Sequence, residues 1–264
     1  MTKLSVPISS LFKNISASKK ISAICACLEC REESLQNPEP RQHLFHFENN
    51  IIQLWSNEER DSIISVIAKK QELNLITFHL AASCSNPFIK QGVFHCGGKI
   101  YLRQEMFDNI RNNVLFLKDC IHEKDINIAI ENNNYYPTPA YRDITDADFI
   151  TQVVGENKIN FLFDLAHAKI TAYNRKMPYQ DYIKGLPLEK MIQMHVSKYG
   201  VNENGLAYDA HELPDEPLFH EVGDILNKFN PEYVTIEYYK NEDRLIAILK
   251  QYSQLCADNN GGKR

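Results

Sequence analysis

INIAIEN, at residues 126–132, and INFLFDL, at residues 159–165, decide the fold class of this chain. Both are mainly apolar runs of strand length. A segment of helical period precedes the first run, since apolar residues recur at steps of three and four from Phe107 to Ile121. Apolar strands that alternate with amphipathic helices predict a parallel sheet covered by helices.

Eight such runs can be counted along the chain. They lie at 21–28, 44–49, 73–80, 92–96, 126–132, 159–165, 190–197 and 232–239. Eight strands in 264 residues favour a single-domain α/β fold, the closed (β/α)₈ TIM barrel. An open doubly wound sheet is the alternative, but no run is followed by a Gly-x-Gly-x-x-Gly fingerprint. We assign the barrel to residues 20–256, a polar N-terminal segment to residues 1–19 and a flexible C-terminal tail to residues 257–264.

The composition is that of an ordinary globular protein, with 44% hydrophobic and 24% charged residues. The net charge of −5 argues against a protein that coats nucleic acid or an anionic membrane. The seven cysteines are odd in number, and neither a signal segment nor a membrane-length apolar run is present. We therefore expect a cytoplasmic protein with reduced thiols. For Cys25, Cys27 and Cys30, burial in the core is favoured over a metal site, because a second paired cluster is missing.

Metal-competent side chains follow the apolar runs where each predicted strand ends. In a TIM barrel these ends meet at one mouth, where active sites are built. Taken singly, such a histidine is usually a core or rim residue, and such a carboxylate usually caps a helix. The same residue types at six strand ends instead indicate a shared site. The nine candidate ligands are His79, His95, Glu131, Asp164, His167, His195, Asp209, His211 and Glu237.

The mixture of imidazole and carboxylate indicates which metals to expect. It suits zinc, iron and manganese, whereas an all-thiolate set would indicate structural zinc or an iron–sulfur cluster. Nine ligands exceed what one ion coordinates. We therefore predict two or three ions that share a bridging carboxylate and together hold substrate and activate water or oxygen.

The order of these residues resembles the metal ligands of endonuclease IV, a member of the xylose isomerase-like barrels. That family uses two histidines, a Glu, an Asp-x-x-His, a His, an Asp-x-His and a final Glu, matched over roughly residues 70–250. The resemblance implies three ion sites. They would consist of His79, His95 and Glu131; of Glu131, Asp164, His195 and Glu237; and of His167, Asp209 and His211.

The segments around those ligands are more similar to another branch, the multinuclear non-heme iron-dependent oxidative enzymes, which include the iron enzyme of methanobactin biosynthesis. The similar segments are IAIEN (128–132), FDLAHAKITAYN (163–174), DYIKGLPLEKMIQMHVS (181–197), YDAHELPDEPLF (208–219) and VTIEYYKNEDRL (234–245). HFEN (46–49) also resembles that family's second-strand ending, although we do not assign His46 as a ligand. One departure is His167, where many members carry Asn.

This second resemblance implies an iron-dependent oxidoreductase. A mixed-valent cluster of two or three iron ions would bind a cysteine of a ribosomally made precursor peptide and use dioxygen to modify it. The catalytic residues implied are Glu131, Asp164, His195 and Glu237. Members usually act with a partner protein that presents the leader of the precursor. Asn132 is a candidate hydrogen-bonding support for a ligand, with a turn residue as the equal alternative.

Two other functions stay open at this stage. One is a phosphodiester hydrolase of the endonuclease IV type, loaded with zinc. It is disfavoured by the net charge and by the lack of an evident Arg/Lys stripe for nucleic acid. The other is a sugar isomerase or epimerase, which would need only one or two ions, zinc or manganese.

Overall fold

The computed structural model describes residues 1–261, and within them eight parallel strands close into a barrel. Around the ring, β1 pairs with β2 on one side and with β12 on the other, and the other neighbours are also parallel. The single-domain (β/α)₈ prediction is therefore confirmed. The barrel strands are β1 (Lys3–Pro7), β2 (Cys27–Cys30), β3 (Leu44–Asn50), β4 (Leu75–His79), β7 (Asn127–Glu131), β8 (Asn160–Asp164), β9 (Met191–Val196) and β12 (Tyr233–Ile236), and the hairpin strands are β5 (Pro87–Lys90), β6 (Val93–Cys96), β10 (Lys198–Val201) and β11 (Ala207–Glu212).

Helices on the outside cover the barrel, as the alternating pattern requires. Their apolar faces pack on the strands; in the third helix, Phe107, Ile110, Val114 and Leu117 are buried, as their spacing predicted. No helix within residues 1–261 is long and apolar enough to cross a membrane. The helices are α1 (Ile15–Ile24), α2 (Asn57–Lys69), α3 (Arg103–Cys120), α4 (Ala147–Asn157), α5 (Leu165–Asn174), α6 (Tyr179–Lys184), α7 (Glu216–Phe229) and α8 (Glu242–Gly261).

The barrel interior changes from apolar to polar along the strands. Because side chains alternate between the two faces of a strand, residues two apart point to the same side. Leu44 and His46 are two residues apart in strand β3, and Ala129 and Glu131 are two residues apart in strand β7. The interior therefore has an apolar layer below a polar one. The buried apolar layer contains Cys27, Leu44, Leu75, Ala129, Leu162 and Tyr233.

Two antiparallel hairpins follow barrel strands at the mouth. The hairpin β5–β6 lies in the connection between β4 and α3, and the hairpin β10–β11 follows β9. Residues of both hairpins line one cavity with residues from the strand ends. The loops of the barrel's C-terminal face therefore build walls above the polar layer.

The N-terminal assignment was wrong. The segment at 1–19 is not outside the barrel, because Lys3–Pro7 forms strand β1 and closes the ring between β2 and β12. Half of the run at 21–28, residues 21–24, lies in helix α1, and its last two residues begin strand β2. Asn14 caps the helix by accepting hydrogen bonds from the backbone of Ser16 and Ala17. Strand β1 was overlooked because its apolar residues are few and its neighbours are polar.

Two further expectations need correction. The run at 92–96 contains strand β6, but that strand belongs to a hairpin and not to the barrel. The count of eight barrel strands was therefore right while one member was missed and another misplaced. At the C-terminus, helix α8 continues to Gly261, so residues 257–261 are helical. The rest of the expected flexible tail, 262–264, lies outside the described residues.

The closely spaced cysteines are buried, as predicted, and all seven cysteines are free. Cys27 belongs to the apolar interior layer, and Cys30 Sγ donates to Gln42 Oε1 at 2.8 Å. Burial raises the pKa of Cys30 to about 11. These thiols are therefore protonated near neutral pH, which makes them poor metal ligands and poor nucleophiles.

Candidate metal centre

The polar layer of the barrel opens into a cavity of about 790 Å³ at the C-terminal ends of the strands. The floor is made by histidines and carboxylates, while residues of both hairpins form the walls. Within residues 1–261, three groups of three side chains have donor atoms that all lie within 4.8 Å of one another. They are His46, His79 and Glu131; Glu131, Asp164 and His195; and Glu29, His195 and Glu237.

The first group joins strands β3, β4 and β7. His46 Nε2 lies 2.8 Å from His79 Nε2 and 3.5 Å from Glu131 Oε2, while His79 Nδ1 lies 2.7 Å from the same carboxylate oxygen. Two ligands bound to one ion at about 2.0–2.2 Å are themselves about 3 to 3.5 Å apart. The short contacts of His79 use different ring nitrogens, but one donor atom from each of the three side chains lies within 4.8 Å of the other two, close enough to converge on one ion.

Three carboxylates surround Nδ1 of His195: Glu131 and Asp164 of the second group, and Glu237 of the third. This atom lies 3.3 Å from Glu131 Oε1, 3.9 Å from Asp164 Oδ2 and 3.5 Å from Glu237 Oε2. All four side chains are buried. The four residues come from β7, β8, β9 and the end of β12, so four strands of the ring deliver them to one point.

Glu131 connects the two groups because its two oxygens face different partners. Oε2 faces His46 and His79, while Oε1 faces His195 and lies 3.7 Å from His167 Nδ1. A carboxylate in this orientation can bind one ion through each oxygen. The geometry therefore supports Glu131 as the bridging residue that the sequence predicts.

The third predicted set, His167, Asp209 and His211, is looser in that it is not one of the groups whose donor atoms all lie within 4.8 Å of one another. Asp209 Oδ2 lies 3.5 Å from His167 Nε2 and 3.1 Å from His211 Nε2. His211 also approaches the carboxylates around His195, with Nε2 3.6 Å from Glu237 Oε2. Its backbone has φ of 43°, in the left-handed region that non-glycine residues adopt only when their surroundings impose it.

Two histidines have one ring nitrogen anchored, so the other faces the cluster. Nδ1 of His46 lies 2.6 Å from Thr77 Oγ1, and Nδ1 of His167 lies 2.9 Å from the carbonyl oxygen of Asn132. Asn132 also pairs with the backbone of Asp164 in both directions through its side-chain amide. Asn132 therefore holds the backbone of Asp164 through its side chain and the ring of His167 through its carbonyl oxygen.

Electrostatics in the cluster favour cations. Burial would lower the pKa of His195, but the carboxylates of Glu237 and Glu29 raise it well above its ordinary value. Burial raises the pKa of Asp164 to about 7, although His167 beside it favours the ionised form. Carboxylates that raise the pKa of a buried histidine in this way also favour a bound cation beside it.

Two buried polar atoms of the cluster also indicate that these residues fit a group of metal ions. Glu131 Oε2 and His195 Nδ1 are buried and make no hydrogen bond of good geometry within residues 1–261, although His79 Nδ1 lies 2.7 Å from the carboxylate oxygen. An unsatisfied buried polar atom costs about 1–3 kcal/mol, so native proteins rarely leave one without a purpose. Both atoms belong to the groups above, and a mixed imidazole and carboxylate donor set suits iron, zinc or manganese.

Of the nine residues predicted from the sequence, the structure brings eight together and leaves out His95. His95 lies on hairpin strand β6, where its ring stacks on Phe88 at 5.5 Å, and it does not line the cavity. His46, which was not assigned as a ligand from the sequence, lies beside His79 and Glu131 instead. The eight are His79, Glu131, Asp164, His167, His195, Asp209, His211 and Glu237.

Sequence reasoning also missed Glu29 and Arg31. Arg31 lines the cavity and forms ion pairs with Glu29, at 3.1 Å, and with Glu237. The signal was the alternation of Cys27 and Glu29 in strand β2, continued by Arg31 directly after the strand. This alternation puts the charged residues above a residue of the apolar layer. The interpretation of this segment considered its cysteines and not the charged residues between and after them.

The fold and the cluster define a class, the TIM barrels with a floor of metal-competent residues. The chain is similar in structure to 3-keto-D-glucoside 4-epimerase from E. coli (TM-score 0.59, 12% identity, 97% of this chain and 100% of that chain). It is also similar to mannonate dehydratase from Streptococcus suis (TM-score 0.64, 10% identity, 98% and 93%). A xylose isomerase domain containing protein from Salmonella typhimurium matches as well (TM-score 0.59, 9% identity, 96% and 97%). At these identities the likeness shows the fold alone.

Within that class the chain belongs to the family of RiPP precursor modification enzymes MbnB/TglH/ChrH, whose model matches residues 62–256. Curated relatives are named UPF0276 proteins. One from Paraburkholderia phytofirmans is 25% identical over 116 residues, or 42% of this chain and 38% of the relative. Another, from Vibrio parahaemolyticus, is 21% identical over 139 residues, or 51% and 47%. The chain thus matches less than half the length of these relatives.

Proposed function

We propose that this protein is a multinuclear iron-dependent oxidase that modifies a cysteine of a ribosomally made precursor peptide with dioxygen. Membership in a family that modifies such precursors supports the substrate class. The observation that carries the proposal is Glu131, whose oxygens face two separate groups of buried donors. This arrangement suits ions that act together on one substrate.

The donor residues would divide among three ions. His46, His79 and Glu131 would hold one, and Glu131, Asp164, His195 and Glu237 would hold a second. His167, Asp209 and His211 would hold a third ion more loosely. When bound, iron lowers the pKa of a coordinated thiol and supplies electrons to dioxygen.

The cavity suits a peptide side chain that enters from outside. Ile89 and Val93 of the first hairpin and Leu206 of the second hairpin's loop line its walls above the polar floor. An apolar wall with a polar floor excludes water from the reacting atoms while it admits an extended segment. As the resemblance to the iron enzymes implies, we expect a separate partner protein to bind the leader of the precursor.

The decisive experiment is metal analysis of the protein purified without oxygen, followed by oxygen uptake with a cysteine-containing peptide and mass analysis of that peptide. We expect two to three iron ions per chain, and oxygen consumption that requires the peptide thiol. The matched control is the same peptide with serine in place of cysteine, which should stimulate no uptake. Stoichiometric zinc with cleavage of a phosphodiester, or epimerisation of a sugar by the loaded protein, would contradict the proposal.

A further inference from the structure

Glu29 is a fully buried carboxylate on strand β2. It contacts one ring nitrogen of His195, and the other ring nitrogen faces the proposed metal ligands. Its Oε2 lies 2.9 Å from His195 Nε2, whereas Nδ1 of the same ring faces Glu131 and Glu237. We propose that Glu29 is a positioning residue that keeps the His195 proton on Nε2, so that Nδ1 is the atom that binds metal. This inference rests on the metal centre proposed above.

Glu29 itself is poorly placed to be a ligand, although it lies within ligand distance of His195 and Glu237. Oε2 accepts a hydrogen bond from Gln193 Nε2 at 2.6 Å in addition to its contact with His195. Oε1 accepts from Arg31 Nη2 at 3.1 Å. Both oxygens are thus engaged by donors, and a cation there would have to displace them beside a guanidinium group.

The contacts of Glu29 hold it in one orientation. Gln193 Nε2 also donates to Thr235 Oγ1 at 2.8 Å, and that hydroxyl lies 2.5 Å from Ser5 Oγ. Strands β1, β2, β9 and β12, which are neighbours in the ring, therefore form a buried polar belt below the metal centre. These contacts restrict the orientation of the carboxylate that faces His195, although Gln193 Oε1 has no hydrogen-bond partner within residues 1–261.

Glu29 differs from the groups that anchor the other histidines. His46 and His167 are held by a hydroxyl and a carbonyl oxygen, which are neutral. A carboxylate that accepts the second N–H of a metal-binding imidazole orients the ring and makes its other nitrogen a stronger donor. Arg31 extends this support, because it also pairs with Glu237, a proposed ligand of the same ion.

The test measures zinc affinity of the full chain, freed of metal and titrated against a competing chelator. We expect Glu29→Gln to bind as many zinc ions as the wild type, with the affinity of one of them lowered about 10- to 100-fold. Glu29→Gln combined with Gln193→Glu should recover most of that loss. The exchange returns a carboxylate to His195, since Gln193 Nε2 lies 3.1 Å from His195 Nε2. Glu232→Gln, a half-exposed carboxylate at the start of β12, is the control and should bind zinc normally.

An unchanged affinity in Glu29→Gln would overturn the inference. So would the loss of one whole ion that the exchanged pair does not restore, because Glu29 would then be a ligand. A wild-type chain that binds no zinc would instead overturn the metal centre itself, and the inference with it. If Glu29→Gln does not fold, nitrogen NMR of the zinc-loaded wild type decides. We expect His195 to carry its proton on Nε2, and a proton on Nδ1 would overturn the inference.

Discussion

His46 Nε2 lies 2.8 Å from His79 Nε2, and both rings approach Oε2 of Glu131. Two neutral or metal-bound imidazoles tolerate this contact, whereas two protonated rings would repel each other. Burial, together with His79, lowers the pKa of His46 well below its ordinary value. The pair is therefore ready to bind a cation without first losing a proton from His46.

The first prediction concerns which histidine completes this pair. His46→Ala should lose the ion held with His79 and Glu131, because it removes one of three protein ligands. His95→Ala should retain the wild-type metal content, because its ring packs on Phe88 in the hairpin. Metal analysis of both variants after anaerobic reconstitution is the check. Loss of metal from His95→Ala alone would contradict this arrangement.

The second prediction concerns the bridge. Glu131→Ala should lose more metal than His211→Ala, since Glu131 faces two groups of donors, whereas His211 belongs to the looser third set and otherwise only approaches Glu237, at 3.6 Å. We expect the loss of two ions in the first variant and at most one in the second. Glu48→Ala is the control, because Glu48 lines the cavity but belongs to none of the donor groups. Equal losses in the two ligand variants would count against the bridge.

The sequence was sufficient for the barrel and for most of the cluster, because both depend on strand periodicity. Glu131 and Asp164 end long apolar runs, and strand ends meet at one mouth in any TIM barrel. His46 was missed because it lies inside a strand, one step above Leu44, rather than at its end. His95 was misjudged because a short apolar run with a terminal histidine looks alike in a barrel strand and in a hairpin. Which nearby strands pair is decided by tertiary contacts that periodicity does not contain.

The third prediction is that metal binding releases protons at pH 7. The pKa of Asp164 is raised to about 7, and the pKa of His195 is raised well above its ordinary value. Both groups therefore hold protons in the metal-free protein. Ligands bind metal in their deprotonated forms, so affinity should rise as pH rises through this range. Calorimetry of zinc binding in two buffers of different ionisation enthalpy measures the release. We expect about one proton or more per chain, unchanged in the exposed-site control His220→Ala, whereas identical heats in both buffers would refute the prediction.

The fourth prediction tests the wall of the cavity. Ile89 lines the cavity and is 65% exposed, so it is available to an apolar part of a bound peptide. Ile89→Ser should raise KM for the peptide about three- to tenfold, consistent with partial loss of apolar burial. Metal content should stay at the wild-type level. Ile64→Ser, on helix α2 and 44% exposed, provides the control outside the cavity. Equal effects on KM in both variants would show that the hairpin does not contact the peptide. A loss of metal from Ile89→Ser would show that Ile89 acts on the metal centre and not on the peptide.

The fifth prediction concerns the N-terminal strand. Leu4 is 3% exposed in β1, whose backbone pairs with both β2 and β12 to close the barrel. Leu4→Ala should lower the free energy of unfolding by about 2–5 kcal/mol, because it leaves a cavity in a packed core. Ile15→Ala removes an equally apolar side chain that is 73% exposed, and it should change stability by less than about 0.5 kcal/mol. Urea unfolding of the two variants makes the comparison. Equal stability would mean that residues 1–19 lie outside the cooperative barrel, as their polar composition first suggests.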